Sequence, residues 1–153
     1  MLVLSTLHSL LSQIVSPGKL HTAVLLTPAG ELVSAASNPQ RPKDEVRVIV
    51  GLGGEVWRET RDQGIGMVDS ELGRILVLPV DDNVDNTGTA RVSHRPPLML
   101  LALNASENVD WEELQTKGAA LASHLAKPLG QFRDVLAPVT ANGFTSSSLT
   151  RLA

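Results

Sequence analysis

Apolar residues along this chain recur at two different spacings, and the switches between them mark out its elements. Leu7, Leu10, Leu11 and Ile14 follow Ser5 and Thr6 at the i, i+3, i+4, i+7 spacing of one helix face, and Ser16, Pro17 and Gly18 end that helix. From Thr22 to Ala36 two apolar runs flank Pro28 and Gly30. Proline presets φ for a turn and glycine accepts the positive φ that a turn often needs, so the runs are predicted to fold into a hairpin. Two prolines between Ser37 and Pro42 make an irregular connection, and Asp44 then gives an acidic start to a second helix running to about Glu59.

Beyond a polar loop containing Gly64, Gly66 and Ser70, Arg74 to Val80 reads as the third strand, apolar on both faces and therefore buried on both sides. Asp81 to Gly88 reads as a turn, Thr89 to Ser93 as a short alternating strand, and Leu98 to Leu103 as the fifth strand. Asp110 is placed to cap a last helix, with Glu113 at capping-box spacing. Trp111, Leu114, Gly118, Leu121 and Leu125 share one of its faces, and Pro128 is expected to kink or end it. The order is helix, two strands, helix, three strands, helix. Short connections then favour an α+β sandwich, a five-stranded antiparallel sheet with a helix pair against one face. We expect one domain over residues 1–136 and a mobile Ser- and Thr-rich tail over 137–153.

The second helix carries more apolar surface than one sheet contact requires. Val46, Ile49, Val50, Gly53 and Trp57 form one stripe, and Val48, Leu52 and Val56 form another beside it. Together they cover roughly 160° of the helix, which leaves one stripe in need of a partner.

Composition narrows the functions available. A chain of 153 residues, 42% hydrophobic, is long enough to bury roughly 70% of its extended surface in one core. Aromatic residues make up only 3%, so few platforms exist for stacking bases. A net charge of −3 gives no electrostatic reason to bind a phosphate backbone, and nucleic acid is not an expected partner. The absence of cysteine excludes disulfides and thiolate metal sites and fits a reducing compartment. No run approaches the ~20 apolar residues of a membrane span, and Leu2 follows Met1 where N-myristoylation needs glycine, so no membrane insertion is expected.

Candidate chemistry is sparse. Gly51, Gly53 and Gly54 lack the G-x-G-x-x-G pattern, because Val56 stands at its last position, and no G-K-[ST] follows; close helix packing is the ordinary reading. Asp81, Asn83 and Asp85 begin like a calcium loop, yet Asn86 and Val92 occupy the positions of its glycine and closing glutamate. His8, His21, His94 and His124 have no metal-binding spacing, and no G-x-S-x-G elbow occurs. The basic groups Arg41, Lys43, Arg47 and Arg91, His94, Arg95 are too small for a nucleic-acid footprint. Neither catalytic residues nor a cofactor is expected.

Several segments resemble roadblock domains, and in particular the roadblock subunit of the lysosomal Ragulator scaffold, the EGO complex of fungi, which pairs with the MEK-partner subunit. They are Leu25 to Leu32 in the hairpin, Val46 to Val48 with Val56 and Trp57 in the second helix, Arg74 to Val77, and Ala122 to Leu129. The match spans residues 5–132 and departs in the Asn38 to Pro42 linker, in Asp81 to Pro97 and after Ala137. The resemblance implies a non-enzymatic scaffold forming a heterodimer with a second roadblock subunit through its second helix and third strand. It further implies docking of Rag-type small GTPases in nutrient signalling to TOR, on the vacuolar or lysosomal surface, with a separate lipid-anchored subunit holding the membrane. An apolar strand edge at Arg74 to Val80 would be hazardous unless paired. The expected partner surface is therefore Val48, Leu52 and Val56 with Ile75, Val77 and Leu78. A dynein-associated or GTPase-regulating roadblock protein, and a stand-alone nucleotide-binding domain, are the alternatives.

Overall fold

Leu98 to Leu103 is apolar at nearly every position because the strand it forms is covered on both faces. In the computed structural model, which describes residues 4–16, 18–81 and 97–130, every residue of Met99–Ala105 is buried. The elements are α1 (Leu4–Ile14), β1 (Leu20–Leu26), β2 (Leu32–Ser37), α2 (Asp44–Thr60), a short 3-10 turn (Arg61–Gln63), β3 (Gly66–Ser70), β4 (Gly73–Val80), β5 (Met99–Ala105) and α3 (Trp111–Gly130). The strands form one sheet in the order β2-β1-β5-β4-β3, antiparallel at every pairing.

The period of two sends alternate residues to opposite helical layers. Leu76, Leu78, Leu101 and Leu103 pack with Leu7 and Leu11 of α1 and with Leu114, Leu121, Leu125 and Leu129 of α3. Val24, Leu26, Ile75, Val77, Leu100 and Ala102 pack with Ile49 and Trp57 of α2. The expected helix pair is thus α1 with α3, while α2 covers the other face. Glycine permits close approach in both layers. A Cβ on Gly118 would lie 3.1 Å from Leu76 and 3.2 Å from Leu103, and one on Gly53 3.2 Å from Ala102 and 3.3 Å from Leu26.

The first hairpin closes as expected. Gly30 has φ +94° and donates its N–H to Thr27 O at 2.8 Å, and the Thr27 N–H donates to Glu31 O at 2.8 Å. In the linker, Asn38 Oδ1 accepts from the Gln40 N–H at 3.0 Å and Arg41 pairs with Glu45 at 3.0 Å, which together lead into α2.

Two assignments change. Gly66–Ser70 is a strand where a polar loop was expected; it pairs with β4 through a two-residue turn at Glu71 and Leu72, with Gly73 at φ +103°. Arg74 to Val80 is consequently the fourth strand, flanked by β3 and β5. Of the two expectations for Pro128, a kink or an end, the end is not met: α3 continues to Gly130, and Leu129 is buried beyond the proline. Pro79 is tolerated because β3 pairs with β4 only as far as Val77, so its missing N–H costs no bond in the β3–β4 ladder. The expected strand Thr89 to Ser93 and the tail 137–153 lie outside the described residues.

Candidate partner-docking surface

Among the described residues the sheet ends at β3, and α2 is seated directly over that end. A Cβ on Gly66 would come within 2.5 Å of Val56 Cγ1 and 2.6 Å of Thr60 Oγ1, so only glycine lets the helix sit this low on the edge strand. Thr60 Oγ1 donates to Val56 O at 2.7 Å, turning its hydroxyl back onto the helix. The stripe Val48, Leu52 and Val56 therefore flanks the open edge. Val48 is 48% exposed, while Leu52 and Val56 are half-buried against the α2-side core. On the opposite face of β3, Met67 is 45% exposed and its Sδ accepts from Gln115 of α3 at 2.9 Å. Among the described strands β3 has β4 as its one neighbour, and it directs the backbone N–H and C=O of every second residue away from β4.

The partner surface expected from sequence divides accordingly. Val48, Leu52 and Val56 lie together on the outer flank of α2. Ile75, Val77 and Leu78 do not join them, because β4 is an interior strand. Ile75 and Val77 are buried beneath α2, and Leu78 faces α1 and α3 on the other side of the sheet. Apolar residues on both faces of a strand mark a central position, and the hazardous edge belongs to β3. The signal that could have found it is the Ser70 to Gly73 turn, two residues between two short runs.

The β3–β4 hairpin is fastened to the start of α3 by Arg74. Its guanidinium lies 4.8 Å from the centre of the Trp111 ring, donates to Val109 O at 3.0 Å and approaches Asp69 Oδ1 at 3.5 Å. Across the sheet, Asn104 Nδ2 donates to Leu72 O and Arg74 O at 3.0 and 3.2 Å, holding the same hairpin from β5.

The nucleotide alternative loses its structural basis. Gly51, Gly53 and Gly54 stand inside α2, where backbone N–H groups belong to the helical ladder and cannot cradle phosphate. Of the four histidines, His8 lies on α1, His21 on β1 and His124 on α3, and His94 is outside the described residues. Among the described residues no three His, Cys, Asp or Glu side chains cluster as metal ligands would, and no helix is long and apolar enough to cross a membrane. Burial lowers the pKa of His21, helped by the Arg41 guanidinium and opposed by Glu45.

No protein-family signature and no curated protein matches this sequence. Solved structures do match its fold. MglB in a tetrameric arrangement superposes with TM-score 0.55 at 12% identity, over 80% of this chain and 87% of that one. A Roadblock/LC7 domain from Streptomyces avermitillis gives 0.55 at 13%, over 77% and 96%. Myxococcus xanthus MglB gives 0.55 at 9%, over 83% and 97%. The strand order, the two helical layers and these superpositions agree that the chain has the Roadblock/LC7 fold.

Proposed function

We infer that this chain is a non-enzymatic scaffold subunit that pairs with a second roadblock-fold chain, α2 against α2 and β3 beside β3, extending the sheet across both. The observation that carries this reading is the stripe Val48, Leu52 and Val56, exposed at Val48 and half-buried at the other two, beside a β3 edge that no other described strand covers. An unpaired edge flanked by apolar side chains is stabilised when a partner strand completes its ladder and buries the flank. The tetrameric arrangement of one MglB neighbour supports the fold's use in assemblies.

The finer proposal rests on the sequence motifs around Leu25 to Leu32, Val56 and Trp57, and Ala122 to Leu129. By that resemblance the pair belongs to a Ragulator/EGO-type complex docking Rag-type small GTPases in amino-acid signalling to TOR. Its place is then the cytoplasmic face of the vacuolar, lysosomal or late endosomal membrane, held by a separate lipid-anchored subunit.

Val48→Asp tests the surface. The exposed position accepts the carboxylate in the isolated chain, while a buried interface does not, so partner association is lost and the circular dichroism spectrum is retained. Val77→Asp places the charge in the core instead and unfolds the chain, which separates the two roles. Association unchanged in a folded Val48→Asp protein rejects α2 as the docking face.

A further inference from the structure

Among the described residues the sheet has two edges, and they are treated differently. At the β2 edge, the Asn38 N–H donates to His21 O at 2.8 Å, which makes residues 21 and 38 a hydrogen-bonded pair. The antiparallel ladder alternates, so the next pair, Thr22 with Ser37, and the pair Val24 with Ala35 are non-hydrogen-bonded. Ala35 and Ser37 therefore direct their backbone groups outward, as Met67 and Asp69 do by the same alternation on β3. On β2, however, the outward carbonyl of Ala35 is already taken, because His8 Nδ1 lies 2.9 Å from it.

That ring reaches across from α1, which packs against β2 on the α1/α3 face through Leu7 and Leu11. It occupies the place where the N–H of an added strand would have to sit. Pro39 follows close behind β2 and cannot extend the ladder. Leu32, 51% exposed at the start of β2, is the kind of apolar flank that would reward pairing if the ring were absent.

We propose that His8 is an edge lock: by holding the Ala35 carbonyl it closes β2 to a second copy of this chain, so that sheet extension is confined to the β3 side and assembly stops at a closed unit. A chain open at both edges would continue indefinitely, because each added unit presents another free β2. The lock is a property of one chain and does not depend on which partner covers α2.

His8→Ala removes the ring and places the best helix former at an exposed position of α1, so the helix is retained. The expected result, by light scattering, is roughly a doubling or more of the wild-type mass that grows with concentration, whatever the wild-type mass is. If the α2/β3 pairing holds, wild-type pairs join end to end. If that pairing fails, wild-type monomers become β2-linked dimers, and the two readings remain distinguishable. Adding Ser37→Pro, at an exposed edge position whose N–H faces outward, blocks the edge again and returns the mass to the wild-type value. His8→Gln keeps an amide donor and holds the wild-type mass. A folded His8→Ala protein with the wild-type mass at every concentration, or growth that Ser37→Pro does not reverse, overturns the assignment.

Discussion

Gly51 and Gly53 are two residues apart on one helix and answer to different constraints. Gly51 is exposed with nothing within 4 Å of where its Cβ would stand, so it contributes only the entropic cost of a mid-helix glycine. Gly51→Ala is expected to raise stability by about 0.5–1 kcal/mol in urea denaturation. Gly53 is pressed against Ala102 and Leu26, and Gly53→Leu is expected to cost about 1–3 kcal/mol by forcing α2 off the sheet. His21 gives a pH-dependent counterpart. Its folded pKa lies below the ordinary 6.5, so its neutral form is favoured on folding; this stability is intact above pH 6.5 and is lost as pH falls below that value through the folded pKa. The stability difference between wild type and His21→Gln, followed from pH 8 to 5, should therefore be flat above 6.5 and turn against wild type on acidification. A difference that stays flat throughout contradicts it.

At the scale of elements, the strands that were legible are those whose side chains report their surroundings. Leu98 to Leu103 is apolar throughout and became β5, and the two runs around Pro28 and Gly30 became β1 and β2. β3 was hidden because its burial is not written in side chains. Gly66 is buried as bare backbone beneath Val56, and Val68 is its one apolar residue on the α2 face. Missing β3 moved the expected edge onto β4 and carried Ile75, Val77 and Leu78 into the partner surface. The α2 stripe was legible, since its excess width is visible in the helical spacing. Arg74 ties the corrected hairpin together. Arg74→Ala removes its contacts with Trp111 and Val109 O and should destabilise the fold by roughly 1–3 kcal/mol in denaturant titration. Arg74→Lys should restore only part of this, because an ammonium cannot stack as a planar guanidinium does.

At the scale of the whole molecule, the described residues form a sheet with two helical layers and two unequal edges. One edge is fastened by α1 through His8. The other is left open beneath α2, whose apolar surface is wider than its own sheet can cover. A fold arranged this way is completed from one side, and that asymmetry is what makes it suited to being a subunit. The most direct measurement is the mass, by light scattering, of the assembly purified from its own cells through a tag on this chain, beside the same preparation of Val48→Asp. The expected result is a one-to-one complex with a second chain of roadblock fold, replaced in the variant by a folded chain of 16.3 kDa. A wild-type protein found as a lone monomer, or a folded Val48→Asp protein that keeps its partner, would contradict the proposal that α2 and β3 form the docking surface.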